Sequence, residues 1–213
     1  MKEEKYTFLH FELLTQAIAI GERVKGETFR PCISSIPCST LKGSFKEHFG
    51  VPDIQGIGFF RQDSYERNIL TYAPFDSYLG TAKFPISIEY LKPKNCPNIK
   101  ADIYILKKKD YDFYDKNSSV RITLGALKSK GLGQCELRYV REITPENRVG
   151  YFKGRILEQE CEMFGIKQVI KPCFGYLFYP TSQISGVYKR AIFEGSIIKA
   201  PSILIEEEYG FDY

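Results

Sequence analysis

The stretch LGALKSKGLGQCEL, residues 124–137, places three glycines, two lysines and a serine in a run that otherwise has the composition of a β-strand. The glycines permit backbone conformations with positive φ and the close approach of another backbone, and the polar residues offer charge and donors to phosphate oxygens. These six residues are Gly125, Gly131, Gly133, Lys128, Ser129 and Lys130. Three interpretations are open: an ordinary hairpin, a nucleotide phosphate cradle and a clamp on an RNA backbone.

The sequence of this loop disfavours a P-loop and excludes two other nucleotide-binding interpretations. The P-loop pattern G-x-x-x-x-G-K-[ST] is absent, and the loop leads into a strand where a P-loop leads into a helix. The pattern G-x-G-x-x-G is also missing, which excludes a dinucleotide-binding turn and a kinase glycine loop.

Positive charge is concentrated around the same loop. The chain of 213 residues has a net charge of +4, and residues 121–141 hold five basic residues against the single acid Glu136. In the rest of the chain, basic and acidic residues are equal in number. The five basic residues are Arg121, Lys128, Lys130, Arg138 and Arg141. An anionic ligand would be attracted to this segment.

Composition predicts an ordinary globular protein, with 43% hydrophobic and 15% aromatic residues to build a core. Six scattered cysteines and only two histidines argue against a structural zinc site, so we expect neither a metal nor a cofactor. The sequence has no apolar run of about 18 residues or more and no signal-peptide pattern at its start. We therefore expect a cytoplasmic protein with reduced thiols and no membrane contact.

Hydrophobic patterning predicts more β-structure than α-structure. A helix is expected after Pro37, with Ser39 as N-cap and Gly50 as its end, because Leu41 and Phe45 recur at four-residue spacing. Residues 53–64 are expected to be irregular and residues 107–119 to form a solvated connection. The predicted strands are 5–14, 67–73, 84–91, 101–107, 120–126, 134–140, 175–180 and 195–208. The fold class is α+β, an antiparallel sheet with helices on one face.

Two segments together resemble the RAMP superfamily of CRISPR-associated proteins. The segment IPCSTLKGSFKEHFG, residues 36–50, is similar to the family signature IPGSSLKGALR, with Cys38 where glycine is usual. The opening loop is similar to the family's glycine-rich loop GGKKSRGFGRV, with Lys130 in place of arginine and Leu132 in place of an aromatic residue. The two motifs occur in the expected order and cover about thirty residues.

The resemblance implies a ferredoxin-like, or RRM-like, fold spanning residues 1–213 as one domain. Residues 1–141 carry both motifs, and residues 142–213 form an elaboration or a degenerate second subdomain. The resemblance also implies that the glycine-rich loop and the first helix contact CRISPR guide RNA. The predicted RNA-binding residues are Ser39, Lys42, Lys46, Lys128, Ser129, Lys130, Gly131, Gly133 and Arg30, with Phe29, Tyr139 and Tyr188 as the aromatic candidates for base stacking.

Three roles are known in the family, and they require different side chains. A repeat-processing endoribonuclease needs a general acid or base, for which His48 is the candidate, whereas His10 is expected to be structural. A target-cleaving backbone subunit uses an aspartate before the first motif, and residues 21–36 contain none. The remaining role is a non-catalytic subunit that grips the 5′ handle of the guide in a type III or type IV effector complex. This role is the leading prediction. Its alternatives are the nuclease, an inactive backbone subunit, and a protein-interaction module that keeps the RAMP fold but touches RNA only when neighbouring subunits hold it.

Overall fold

The computed structural model describes residues 6–21, 28–108, 113–182 and 185–206. These residues form eighteen β-strands, one α-helix and five short 3-10 helices. The strands are β1 (Phe8–Thr15), β2 (Phe29–Arg30), β3 (Ser35–Ile36), β4 (Gly56–Phe60), β5 (Tyr65–Tyr72), β6 (Phe75–Asp76), β7 (Thr81–Ala82), β8 (Ile86–Pro93), β9 (Ile99–Leu106), β10 (Ser119–Thr123), β11 (Gln134–Ile143), β12 (Asn147–Phe152), β13 (Ile156–Leu157), β14 (Gln168–Lys171), β15 (Phe174–Pro180), β16 (Gly186–Ile192), β17 (Ile197–Pro201) and β18 (Ile205–Glu206). The helices are α1 (Cys38–Phe49), η1 (Gln62–Ser64), η2 (Lys128–Lys130), η3 (Glu158–Glu160), η4 (Glu162–Phe164) and η5 (Ser202–Leu204).

The largest sheet has six strands in the order β10-β11-β1-β9-β4-β3, and its pairings are antiparallel. Strand β1 pairs along its whole length with β9 on one side and with β11 on the other. Phe8 points to one face of the sheet and Leu9, Phe11 and Leu13 to the opposite face, and all four side chains are buried. Both faces of β1 are therefore covered.

Helix α1 crosses one face of this sheet between β1 and β4. Leu41 and Phe45 are completely buried in the core that contains Leu9, Phe11 and Leu13. Burial of one stripe against a sheet is what the four-residue spacing of these side chains predicts, so the predicted helix is confirmed.

The predicted C-terminal end of α1 is confirmed, whereas its predicted N-cap is wrong. Gly50 ends the helix in the left-handed region, with φ 68°. The prediction of Ser39 as N-cap is wrong, because the extended backbone of Pro37 already turns the chain into the helix. The carbonyl of Pro37 accepts hydrogen bonds from the N–H groups of Thr40 and Leu41 at 3.0 Å and 3.2 Å, which places Ser39 inside the first turn.

The C-terminal half covers the other face of the six-stranded sheet. It contains two smaller antiparallel sheets, with strand orders β14-β17-β12-β18 and β13-β16-β15. Phe8, Ile57 and Phe59 from the first half pack with Phe152 and Phe164 from the second in one hydrophobic cluster. The large sheet therefore lies between α1 and the C-terminal strands.

Residues 53–64 differ from their prediction. They contain β4, all five residues of which are buried, so the expected irregular segment was wrong. A Cβ added at Gly56 would lie 3.1 Å from side-chain carbons of Ile105 and Leu41, and one at Gly58 would lie 3.1 Å from Ile36. These glycines allow neighbouring side chains to pack closely against the strand. In the sequence alone, glycines at this spacing indicate a loop, which is why the strand was not predicted.

The structure has one α-helix in its described residues where several were expected on the sheet. The connection from β9 to β11 contains the edge strand β10 and the glycine-rich loop. Part of this connection was predicted to be solvated, but Phe113 packs on Phe45, with ring centroids 5.4 Å apart. Residues 109–112 lie outside the described residues.

The glycine-rich loop between β10 and β11 folds against the connection that follows β1. Gly125 and Gly133 have φ values of +80° and +78°. The N–H of Gly133 donates to the carbonyl of Ala17 at 2.7 Å, and a Cβ at Gly125 would overlap the carbonyl oxygen of Ala19. Leu132 is buried against Ala19. Two of the three glycines are thus required by backbone packing inside the protein.

We expect Gly133→Ala and Gly131→Ala to differ strongly in stability. Both positions have positive φ, which costs about 1–2 kcal/mol for alanine, but only at Gly133 would the new Cβ overlap the backbone of Leu124. The free energy of unfolding, measured with urea, should fall by about 1–2 kcal/mol for Gly131→Ala and by about 3 kcal/mol or more for Gly133→Ala. Equal losses for the two variants would contradict this account of the loop.

Candidate functional site

The last turn of α1 and the glycine-rich loop lie side by side. Lys128 Nζ donates to Glu47 Oε2 at 2.8 Å, across 81 positions of sequence. This hydrogen bond and the charge of Lys128 lower the pKa of Glu47. The two segments that resemble the RAMP motifs therefore form one continuous surface, which we call the α1-loop surface: residues 39–50 of α1 and its cap, with residues 125–133 of the loop.

Most of the predicted contact residues are exposed on the α1-loop surface. They are Ser39, Lys46, Lys128, Ser129, Lys130 and Gly131, with Lys42 partly exposed. Lys130 Nζ lies 5.7 Å from the centroid of the Tyr72 ring. Gly133 is buried and gives its N–H to Ala17, so it shapes the loop without facing a ligand. Arg30 is exposed on β2, which pairs with β8 in a separate three-stranded sheet.

The three aromatic candidates have different surroundings. Phe29 and Tyr188 are exposed, by 42% and 50%, on β2 and β16. Tyr139 is half-buried, and its ring stacks on Tyr114 with centroids 4.9 Å apart and planes inclined by 26°. One face of Tyr139 is therefore already covered by a protein ring.

His48 connects α1 to β10. The main-chain N–H of Thr123 donates to His48 Nε2 at 3.0 Å, and the Thr123 hydroxyl lies 3.0 Å from the same nitrogen. Because Nε2 accepts a main-chain hydrogen bond, the proton of the neutral ring is on Nδ1. His48 thus has a structural task at the end of the helix, and its Nε2 is engaged within the protein.

A partly buried polar network around His10, on the other face of the large sheet, was not identified from the sequence. His10 Nε2 donates to Asp102 Oδ1 at 2.7 Å, and Arg61 donates to both carboxylate oxygens, at 2.8 Å and 2.9 Å. The third guanidinium nitrogen of Arg61, Nη1, lies 3.2 Å from Glu12 Oε1. The sequence did contain a signal for this network, because His10, Glu12 and Asp102 interrupt strands that are otherwise apolar. Arg61 gave no such signal, since it lies in the connection after β4.

Burial of Asp102 opposes its charged form, but the hydrogen bonds from Arg61 and His10 outweigh it and hold the pKa of Asp102 well below its usual range. Burial and the neighbouring Asp102 charge raise the pKa of Tyr104 to about 12. The ring of Tyr104 stacks on His10 with centroids 5.0 Å apart. These interactions tie β1, β9 and the end of β4 together.

A second feature that the sequence analysis missed is a cleft of about 230 Å³ between α1 and the C-terminal strands. Lys42 and Lys46 line its α1 wall, and Tyr179 lines the wall formed by β15. Glu160 at the end of η3 is buried in this cleft, with Lys42 Nζ 3.8 Å from its Oε1. The predicted basic residues of the helix therefore face a concave site.

Neither a metal site nor a membrane span is found in the part of the chain that the structure describes. No cluster of three or more His, Cys, Asp or Glu side chains has an arrangement suited to a metal ion within those ranges. The described helices are all too short or too polar to cross a bilayer.

Asp102→Asn tests the polar network through its pH dependence. A depressed carboxyl pKa contributes stability above the usual value of about 3.9, and this contribution is lost as the pH falls through the lower folded-state pKa. At pH 7 the unfolding free energy of the variant should be roughly 2–3 kcal/mol lower than that of the wild type. This gap between the two unfolding free energies should narrow between about pH 4 and pH 2.

Urea denaturation at several pH values measures this gap. Asp63→Asn, at an exposed position on η1, is the matched control and should show a small difference at every pH. A gap for Asp102→Asn that is constant from pH 7 to pH 2 would contradict the network.

Two of the solved structures that resemble this chain show what its fold is similar to. One is a chain in the cryo-EM structure of the Type III-B Cmr-beta bound to cognate target RNA and AMPPnP, with a TM-score of 0.60 and 10% identity, covering 89% of this chain and 86% of that chain. The other is a chain in the Type III-B Cmr-beta bound to cognate target RNA, with a TM-score of 0.53 and 12% identity, covering 92% of this chain and 86% of that chain. No protein-family model matches the sequence, and no curated protein matches it significantly. The chain therefore shares the fold of a chain found in these Type III-B complexes.

Proposed function

We propose that this protein is a non-catalytic RNA-binding subunit of a CRISPR effector complex, and that its α1-loop surface grips the guide RNA backbone or 5′ handle. The observation that carries the proposal is the 2.8 Å contact between Glu47 and Lys128. It joins two motifs that are distant in sequence into one basic, glycine-containing surface. Exposed lysines on a helix and on an adjacent loop are suited to successive phosphates of a single strand.

The fold likeness supports this proposal, because the neighbouring chains come from complexes bound to target RNA. The strand order supports it as well. Strands β11, β1, β9 and β4 are consecutive neighbours, and α1 connects β1 to β4 on one face. We interpret these elements as a ferredoxin-like unit whose second helix is replaced by β10 and the glycine-rich loop.

A role within a larger assembly is supported by exposed apolar side chains near residues 69–84. Phe75, Tyr78, Leu79 and Phe84 are 70%, 95%, 67% and 75% exposed in the segment that joins β5 to β8. These side chains lie in or beside the short hairpin of β6 and β7, and apolar side chains exposed together on such a segment are suited to a contact with another macromolecule. We assign this contact to a neighbouring subunit of the effector complex.

The alternatives are a metal-independent repeat-processing endoribonuclease and an inactive backbone subunit. His48 is the catalytic candidate for the first, and its Nε2 accepts a hydrogen bond from the main chain of Thr123. The segment in which a backbone subunit would carry its aspartate includes residues 22–27, which lie outside the described residues. The contact of His48 with Thr123 therefore favours non-catalytic binding over the nuclease.

Removal of the loop lysines should reduce the salt dependence of RNA binding. If Lys128 and Lys130 each neutralise one phosphate, the double variant Lys128→Ala/Lys130→Ala should lower the magnitude of the log-affinity against log-salt slope by about 1.4, from roughly 0.7 per contact on single strands. Fluorescence anisotropy with labelled repeat RNA at several salt concentrations measures the slope.

Glu47→Gln is the matched control for this experiment. It removes the acid that pairs with Lys128 and leaves both lysines in place, so the magnitude of the slope should stay the same or increase. An unchanged slope in the double lysine variant would remove the loop from the RNA site.

Incubation with end-labelled repeat RNA in EDTA separates binding from cleavage. On a native gel the RNA should be shifted, and on a denaturing gel it should remain intact for the wild type and for His48→Ala alike. His48→Ala should also lose about 1 kcal/mol of unfolding free energy, since the hydrogen bonds to Thr123 disappear. A discrete cut that His48→Ala abolishes would make the protein the processing nuclease.

A further inference from the structure

The cleft between α1 and β15 has the lining of a site for one nucleobase, with room for the base but not for a whole nucleotide. Its volume of about 230 Å³ is below the roughly 300–1,000 Å³ of pockets for drug-sized ligands. Lys42 and Lys46 contribute positive charge, Leu177 and Tyr179 contribute apolar and aromatic surface, and Glu160 contributes a carboxylate. This combination of a ring, a cation and one acceptor is typical of a site for a base with its phosphate.

Glu160 is the unusual member of this lining. The residue is 6% exposed, and its Oε1 lies 3.8 Å from Lys42 Nζ, which is longer than a hydrogen bond. Burial raises the pKa of Glu160, and the Lys42 charge and a backbone hydrogen bond from Leu157 oppose that shift. A carboxylate that is buried, paired only at a distance with a cation and placed in the lining of a cleft is a candidate for ligand recognition.

We propose that this cleft reads a guanine base of the bound RNA, with Glu160 accepting hydrogen bonds from the guanine N1–H and N2–H groups. These two donors are adjacent and parallel, and the two oxygens of one carboxylate match them in the way they match an arginine fork. Adenine and cytosine present one amino donor beside an unprotonated ring nitrogen, which would face the second carboxylate oxygen unfavourably. Uracil presents one imino donor between two carbonyl groups.

Other residues at the cleft would contact the ring face and the phosphate of the same nucleotide. Lys189 Nζ lies 4.1 Å from the centroid of the Tyr179 ring, and it donates to Gln159 Oε1 at 3.0 Å, so the tyrosine is held at the cleft wall. A base in the cleft would stack on this ring. Lys46 is exposed at the same cleft and lies on the α1-loop surface, where it would contact the phosphate of the same nucleotide. The inference rests on the proposed RNA-binding function and adds base selection to it.

The test uses the full chain and four labelled RNAs: an octamer of uridine, and three octamers in which one central uridine is replaced by guanosine, adenosine or cytidine. Fluorescence anisotropy should show about tenfold tighter binding of the guanosine RNA. Glu160→Gln should reduce this preference to about twofold or less, because an amide offers one acceptor and places a donor against the guanine. Affinity for the all-uridine RNA should remain within about twofold.

Glu158→Gln is the matched control, since Glu158 lies on the same short helix, is half-exposed and faces Arg190 at 3.6 Å. It should keep the guanosine preference. A second readout needs no variant: kethoxal reacts with N1 and N2 of guanine, so the wild-type protein should protect the central guanosine from modification.

The outcomes separate this inference from the function on which it rests. Equal binding of all four RNAs, or preference for another base, would overturn the guanine assignment and leave RNA binding in place. A guanosine preference that survives Glu160→Gln, or a guanosine that stays reactive to kethoxal when bound, would overturn the role of Glu160. A wild-type protein that binds none of the four RNAs would overturn the cleft site together with the proposed function.

Discussion

The structure depends on the burial of β1 on both faces. Phe8 enters the core shared with the C-terminal half, while Leu9, Phe11 and Leu13 enter the core beneath α1. Because β1 also pairs with β9 and β11 along its whole length, its position fixes the two neighbours and hence the ends of the glycine-rich loop. The register of a strand that is covered on both faces and paired along both edges is strongly specified, because a slip by one residue would move its apolar side chains to the wrong face.

The α1-loop surface follows from this arrangement. Strand β11 begins directly after the glycine-rich loop, and the loop is anchored to the connection after β1 by the hydrogen bond from Gly133 to Ala17. Helix α1 is anchored to the same sheet by Leu41 and Phe45. Side chains at the helix end then reach the loop and β10, which gives the contacts of Glu47 and His48. The basic surface is therefore held by the hydrophobic core on one side and by polar contacts on the other.

Local signals in the sequence predicted the parts of the fold that have local causes. The helix was predictable because Leu41, Phe45 and Gly50 carry its spacing and its end within thirteen residues. Strand β4 was not predictable in this way. Gly56 and Gly58 are needed there because Leu41 and Ile36 pack against them, and these contacts form only in the folded chain.

The candidate site was also predictable only where the signals are local in the sequence. The exposed lysines of the helix and the loop were named from charge and motif, but their pairing with acids was not. Lys128 meets Glu47 across 81 positions, and Lys42 faces the buried Glu160 of the C-terminal half. The cleft was missed because its two walls come from segments far apart in the chain. Ion pairs and clefts of this kind depend on tertiary packing, for which the sequence carries no short-range pattern.

Photocross-linking to 4-thiouridine-labelled repeat RNA, followed by mass spectrometry of the peptides, tests most directly whether the two motif segments form one RNA-binding surface. The account predicts that peptides from residues 39–50 and from residues 125–133 are both labelled, and that unlabelled RNA competes for both together. Labelling of one segment without the other, or labelling confined to the rest of the chain, would contradict it.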